Sequence, residues 1–206
     1  MGIEIKKSNK FINYDLAMNF LEKRVVKIHE KRAKEILWIL EHPSTYTAGT
    51  SFKNNEILDK EIKVIKSNRG GKITWHGPGQ KVFYFVIDLN TRKKDIRKFI
   101  NIIEETIIDT LSDYNIKSFS DKKNIGIWID NNNKTKKIAA IGIKIKRWIA
   151  YHGFSININN KLDPYKKISP CGLVNNKISS LMETKKQNYK DLSNKIIKNF
   201  LNNLEK

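Results

Sequence analysis

The sequence predicts an α+β domain in which helices flank a mixed β-sheet. Segments with helical spacing lie near the start, in the middle and at the end of the chain, and short apolar, strand-like runs separate them. No internal repeat interrupts this order. A length of 206 residues suits one core, so we expect residues 1–206 to form a single domain.

Three segments carry apolar residues three and four positions apart, as an amphipathic helix does. The first covers residues 13–31, with Asn13 or Asp15 as its cap. The second lies in the middle of the chain and has the clearest pattern. The apolar positions of the three helices are, in order, Leu16, Phe20, Leu21, Val25 and Ile28; then Ile96, Phe99, Ile100, Ile103, Ile107 and Leu111; and finally Tyr189, Leu192, Ile196, Phe200 and Leu204.

Apolar runs between these helices predict the strands of the sheet. Residues 35–41 (EILWILE) form a run that ends at His42-Pro43, because the residue before proline favours an extended or turn conformation. Residues 81–89 (KVFYFVIDL) form a second run. Three more follow the middle helix, at residues 124–130, 137–145 and 148–158.

The chain is strongly basic, with 40 Lys and Arg against 21 Asp and Glu and a net charge of +19. This charge permits nucleic-acid binding, but the basic residues are scattered and form no arginine-rich helix, RNP pattern or zinc-finger spacing. An acidic protein partner fits a basic surface equally well. The single Cys fits a reducing compartment, and no signal-peptide or membrane-length apolar run is seen, so we expect a cytoplasmic protein.

A glycine-rich stretch, RGGKITWHGPGQ at residues 69–80, holds four of the ten glycines. It matches neither GxxxxGK[ST] nor a GxGxxG that opens a helix, because it leads into a strand. Glycine at such a density permits close approach to the backbone. The stretch therefore predicts a binding site whose ligand lies against main-chain atoms.

Few residue types with chemical function stand out. Cys171, between Pro170 and Gly172, is either a small buried apolar residue or a reactive thiol at a loop tip. The histidines His42, His76 and His152 have structural hydrogen bonding as their simplest role, and no His or Cys pair has the short spacing of a zinc site. We therefore expect no metal.

Four blocks of sequence, in this order, resemble the lipoyl(octanoyl) transferase family. They are EHPSTYTAG, RGGKITWHGPGQKVFYFVIDL, KIAAIGIKIKRWIAYHGFSININ and SPCGLVNNKISSL, within residues 41–181. The resemblance implies a fold similar to the catalytic domain of biotin and lipoate protein ligases. It also implies an octanoyltransferase that moves an octanoyl group from octanoyl-acyl carrier protein to the lysine ε-amine of lipoyl domains.

The resemblance assigns roles to residues. It implies that Cys171 carries an acyl thioester and that Lys137 tunes the thiol and handles protons, without a cofactor. The expected partners are acyl carrier protein, the lipoyl domains of 2-oxoacid dehydrogenases and the glycine cleavage H protein, with no nucleic acid or membrane, and we expect a monomer. The implied substrate-binding residues are Arg69, Gly70, Gly71, Lys72, Ile73, Thr74, Trp75, His76, Ala140, Ile141, Gly142, Gly153, Phe154 and Ser155.

Charge alone does not explain a lysine beside the cysteine. Lowering a thiol pKa from about 8.5 to about 6.5 raises its thiolate fraction at pH 7 from ~3% to ~75%. The weaker nucleophilicity of the less basic thiolate leaves a net gain of only about threefold. We therefore expect Lys137 also to transfer protons to the leaving thiol and from the incoming amine. The alternatives are an ATP-dependent lipoate ligase and a nucleic-acid-binding module, neither of which needs Cys171.

Overall fold

The computed structural model describes residues 2–122, 124–131, 134–169 and 177–205. Within these residues, ten strands form two sheets, and four α-helices accompany them. The strands are β1 (Glu4–Lys7), β2 (Ile36–Leu40), β3 (Thr45–Ala48), β4 (Val64–Lys66), β5 (Ile73–His76), β6 (Gln80–Asp88), β7 (Ser118–Ser120), β8 (Ile127–Asn131), β9 (Lys134–Lys146) and β10 (Ile149–Asn157). The helices are α1 (Tyr14–His29), α2 (Ile96–Ser112), α3 (Leu181–Thr184) and α4 (Leu192–Leu204).

The larger sheet has seven strands in the order β1-β2-β6-β10-β9-β8-β7. Its β1–β2 pair is parallel and its other pairs are antiparallel, so the sheet is mixed. The smaller sheet, β4-β3-β5, carries part of the glycine-rich stretch in β5. This arrangement confirms the predicted α+β class with a mixed sheet and flanking helices.

Helices cover both faces of the larger sheet, and each face has its own core. Helix α1 packs against one face through Leu21 and Val25, which meet Trp38 and Tyr84 of the central strands. Helices α2 and α4 cover the other face, where Phe85 contacts both Phe99 and Phe200. We call these faces the α1 face and the α2 face.

The predicted helices and central strands lie within two or three residues of the observed ones. The sequence did not predict β1, β7 or the strands of the smaller sheet. These strands are three or four residues long and several are partly exposed, so they lack the long apolar run that marks β2 and β6. Within the described part of the chain, no helix is both long and apolar enough to span a bilayer.

Candidate active site

The floor of the site is a block of four small residues on the α1 face. On β9 these are Ala140 and Gly142, and on β10 they are Ser155 and Gly153. Gly153 pairs with Gly142 and Ser155 pairs with Ala140, so the four positions are adjacent on two neighbouring strands. Residues two apart on a strand share a face. The floor therefore lacks the bulky side chains that would close the space between this face and the smaller sheet.

The glycine-rich loop forms the roof and touches the floor through its backbone. The amide of Gly70 donates to the carbonyl of Ile143 over 2.9 Å. A Cβ on Gly142 would lie 2.9 Å from the oxygen of Gly70, and a Cβ on Gly70 would lie 2.9 Å from the oxygen of Ile143. Both contacts are tighter than ordinary packing allows. Glycine is required here because two backbones meet.

Arg69 sends its guanidinium over the floor and toward β3. Its Nη2 donates to the carbonyl and the hydroxyl oxygen of Thr47, each at 2.9 Å, and Nη1 donates to the carbonyl of Gly70 at 3.0 Å. Its Nε atom is buried and has no hydrogen-bond partner in the described part of the chain. The site thus holds a guanidinium charge whose hydrogen-bond acceptors are neutral oxygens.

Three buried imidazoles lie in or next to the site and are held neutral. Burial is the main cause that lowers the pKa of His76 to about 3 and that of His42 to about 4. The rings of these two residues are 5.6 Å apart. Burial, with Arg69 and Lys144 nearby, likewise lowers the pKa of His152 to about 3. At neutral pH these rings serve as hydrogen-bonding groups and not as cations.

A β-bulge turns Lys137 onto the α1 face. On β8, Ile127 pairs with Ala139. The next residue, Trp128, pairs with Lys137, which leaves Ile138 as an extra residue. Without this bulge Lys137 would share the face of Ala139 and point into the α2-face core. Bulges redirect side chains in this way next to active sites.

The buried side chain of Lys137 runs toward the start of β8. Its Nζ atom donates to the carbonyl of Ile125 at 2.7 Å and lies 5.3 Å from the ring centre of Trp128. Gly126 has φ +138°, and a Cβ there would collide with Cε of Lys137. Glycine therefore makes room for the ammonium group, which reaches the edge of the floor.

These elements line a pocket that is partly open to solvent. Thirteen of the predicted residues line it together with three from outside the predicted set: Val82, Tyr84 and His152, whose part in the pocket the sequence left open. The thirteen are Arg69, Gly71, Lys72, Ile73, Thr74, His76, Lys137, Ala140, Ile141, Gly142, Gly153, Phe154 and Ser155.

Two predicted site residues are not part of the pocket lining, and a third falls outside the described residues. Gly70 lies in the roof, where its backbone meets Ile143. Trp75 does not line the pocket: its ring packs edge-on against Tyr165, 5.7 Å away, and its Nε1 donates to Ser44. Its neighbours on β5, Thr74 and His76, both line the pocket. Cys171 lies outside the described residues.

The sequence contained only a partial indication of these three additional pocket residues. Val82 and Tyr84 lie in a predicted strand, and they share the face of the floor because they pair with Ser155 and Gly153. That register is not visible in one sequence. The position of His152 depends on its φ of +71°, which breaks strand alternation, and no residue pattern announces it.

Comparison with known proteins assigns the chain to a family. The catalytic domain family of lipoyl protein ligases A and B matches residues 13–201. This chain belongs to that family. An octanoyltransferase of Bartonella bacilliformis is 42% identical in an alignment of 191 positions that covers 88% of this chain and 79% of the relative. One of Anaplasma phagocytophilum is 42% identical over 183 residues, 88% of each chain.

Solved structures of lipoate and biotin protein ligases share the fold. A bi-partite lipoate protein ligase from Thermoplasma acidophilum has a TM-score of 0.73 at 15% identity, covering 99% of this chain and 85% of that one. A lipoate-protein ligase A bound with ATP has a TM-score of 0.72 at 14% identity, covering 98% and 86%. The biotin protein ligase of Aquifex aeolicus, with biotin and ATP, has a TM-score of 0.57 at 12% identity, covering 98% and 70%.

Proposed function

We propose that this chain is an octanoyltransferase that acts in protein lipoylation, with Cys171 as nucleophile and Lys137 as its acid and base. The donor is octanoyl-acyl carrier protein and the acceptor is the ε-amine of a lipoyl-domain lysine. The observation that carries the proposal is the pocket, whose floor of small residues ends at a buried lysine. Two relatives with 42% identity that are named octanoyltransferase support it.

The described residues on both sides of Cys171 support its assignment to this pocket. After it, the amide of Lys137 donates to the carbonyl of Lys177 at 2.7 Å, and the amide of Ser179 donates to the carbonyl of Lys137 at 2.9 Å. Before it, the amide of Ser169 donates to the carbonyl of Glu56 at 2.8 Å. Both flanks are thus bound to residues at the site.

The Glu56 carboxylate connects the leading flank to the pocket wall. This buried group lies 3.0 Å from the ammonium of Lys72, and Lys72 lines the pocket. One residue therefore holds Ser169 through its main chain and Lys72 through its side chain. The hydrogen bond from Ser169 to Glu56 therefore holds the chain, two residues before Cys171, close to the pocket wall.

The floor suits an alkyl chain. Small residues on β9 and β10 leave room above two strands, about 10 Å at the usual strand spacing. An extended octanoyl chain is about 9 Å long, since each carbon–carbon bond of about 1.5 Å advances the zigzag by about 1.3 Å. Burying six methylenes contributes about 5 kcal/mol, enough to favour chains that fill the floor.

The reaction has two halves. In the first, the Cys171 thiolate attacks the thioester carbonyl, a new carbon–sulfur bond forms, and the pantetheine thiolate leaves and takes a proton from Lys137. In the second, the lysine ε-amine attacks the acyl-enzyme, the carbon–sulfur bond breaks, and Lys137 takes the proton that the amine loses. The product is an amide, and the enzyme returns to its first state.

One experiment tests the proposal directly. The protein is incubated with octanoyl-acyl carrier protein without ATP, and its intact mass is measured before and after a lipoyl domain is added. We expect a gain of one octanoyl group, which then moves to the lipoyl domain. Cys171→Ala removes the chain's only thiol and should show no gain. Acylation of that variant, or a requirement for ATP, would refute the thioester route.

A further inference from the structure

Two buried polar atoms at the pocket have no hydrogen-bond partner in the described part of the chain. They are Nε of Arg69 and Nδ1 of His152, and both residues line the pocket. A buried polar atom without a partner costs free energy, so native structures usually supply one. The Arg69 atom is a donor. The role of the His152 atom depends on which ring nitrogen carries the proton.

A chain of contacts that begins at Glu22 determines which ring nitrogen of His152 carries the proton. The carboxylate oxygen of Glu22 lies 3.0 Å from Nδ2 of Asn68, and an ionised carboxylate can only accept. The amide nitrogen of Asn68 therefore faces Glu22, and it also donates to the hydroxyl of Tyr151 at 3.2 Å. The amide oxygen of Asn68 must then face His152, whose Nε2 lies 2.6 Å away. Nε2 consequently carries the proton and donates.

The other ring nitrogen of His152 is therefore an acceptor. Burial holds the pKa of His152 down to about 3, so the ring is neutral at pH 7 and Nδ1 keeps its lone pair. The ring is also fixed in place: φ of +71° puts it on the same side as Tyr151, against which it stacks at 4.7 Å. Such backbone strain is typical of functional positions.

The two unpartnered atoms, on Arg69 and His152, lie away from the Lys137 ammonium. That group is next to Ile125, on the β8 side of β9. His152 is on β10, opposite Ile143 of β9 and Phe85 of β6. His152 pairs with Ile143, six residues along β9 from Lys137, so the two groups are separated both across the sheet and along it. An octanoyl chain that starts near Lys137 and runs along the floor points toward this region.

We propose that Arg69 and His152 form a polar subsite at the far end of the acyl pocket that binds one neutral hydroxyl group. Arg69 Nε donates to its oxygen, and His152 Nδ1 accepts its hydrogen. An ordered water fills the subsite above the methyl end of an octanoyl chain, and the terminal hydroxyl of an ω-hydroxyacyl chain replaces that water. The enzyme therefore accepts ω-hydroxyoctanoyl thioesters as substrates. This inference rests on the proposed acyl transfer.

The test compares octanoyl-pantetheine with 8-hydroxyoctanoyl-pantetheine as acyl donors, by kcat/KM for acyl-enzyme formation. In the natural protein we expect the two values to agree within about threefold, because the hydroxyl replaces a water that makes equivalent hydrogen bonds. In His152→Leu the hydroxyl loses its acceptor, and the preference for octanoyl should rise by about 5- to 150-fold. Equal preference in both proteins, or a natural enzyme that rejects the hydroxyacyl donor by about a hundredfold, would overturn the subsite.

A matched variant and a spectroscopic measurement complete the design. His152→Asn keeps an acceptor oxygen and tolerates a left-handed backbone, so it should retain the natural ratio. Nitrogen NMR of the natural protein should show the Nε2-protonated tautomer of His152 at pH 7, and the Nδ1-protonated tautomer would overturn the proposal even if His152→Leu fails to fold. Absence of acylation by either thioester would refute the proposed function, whereas octanoyl transfer with rejection of the hydroxyacyl donor would refute the subsite alone.

Discussion

The two faces of the β9–β10 hairpin differ although they come from the same residues in alternation. On the α2 face, Ala139 and Ile156 are buried in the core beneath the helices and stabilise the fold. On the α1 face, Gly142 and Gly153 leave a cavity, and the polar groups around it are buried without full hydrogen bonding. The first face gains stability from packing. The second face gives up that stabilisation to make a site.

Loss of the lysine on the pocket side should have the largest effect. Lys137→Ala should lower the rate of octanoyl transfer by about 10²–10⁴, the usual contribution of a general acid–base group. The pH midpoint for alkylation of Cys171 by iodoacetamide should also rise toward about 8.5. High pH should restore alkylation but only part of the transfer, because the leaving thiol and incoming amine still lack a proton partner. Full recovery would leave Lys137 with an electrostatic role only.

Acid should destabilise the protein through the imidazoles of the pocket side. The pKa values of His42, His76 and His152 are lowered to between about 3 and about 4 from 6.5. Below pH 6.5 the unfolded chain binds protons that the folded chain does not, so stability is present above this pH and is lost as the pH falls toward 4. At pH 5.5 the three groups together should cost about 4 kcal/mol relative to pH 7.

Denaturant unfolding at the two pH values measures this loss. The comparison stays above pH 5 because carboxylates such as Asp95, whose pKa is lowered mainly by hydrogen bonding to the Lys98 amide, contribute only at lower pH. An unfolding free energy that is unchanged between pH 7 and pH 5.5 would show that the imidazoles are not kept neutral.

A pair of substitutions separates the two faces most directly. Gly142→Val places a branched side chain where a Cβ alone would already approach Gly70 and Arg69, so we expect octanoyl transfer to fall at least about tenfold. Ile156→Val, on the α2 face, should lower the unfolding free energy by about 0.5–1.5 kcal/mol and leave transfer unchanged. Circular dichroism verifies that both variants fold. Normal transfer by folded Gly142→Val would remove this position from the acyl path.

Salt should produce the smallest effect, and it concerns the outer surface. If the net charge of +19 attracts an acidic carrier, raising salt to physiological levels should increase KM severalfold for octanoyl-acyl carrier protein. KM for octanoyl-pantetheine, which reaches only the pocket, should change little. An equal response of both donors would mean that the basic surface does not take part in docking.

The sequence predicted the framework of this site better than its details. The α1, α2 and α4 helices and the central strands were visible because their apolar spacing directly reflects burial. The glycine-rich stretch indicated a close backbone approach, which the contact between Gly70 and Ile143 now explains. Trp75 was assigned to the site with the rest of a continuous family block, and its ring packs against Tyr165 and not in the pocket lining.

The features that the sequence did not show depend on register and on single backbone angles. Tyr84 joins the pocket because β6 pairs with β10 in one particular register. His152 joins it through a left-handed φ, and its role as an acceptor depends on a distant carboxylate, Glu22. Such properties come from several segments at once, so a single chain pattern cannot reveal them.

The bulge at Ile138 makes the register of β9 against β8 a functional constraint in evolution and in engineering. A one-residue slip that pairs Ile138 with Trp128 would restore regular pairing, yet it would turn the ammonium group into the opposite core. Such a slip would favour the local ladder and remove the acid–base group in a single step. Deletion of Ile138, by contrast, would keep Lys137 opposite Trp128 and on the α1 face. We expect selection to retain the register of this strand more strictly than the identity of its residues.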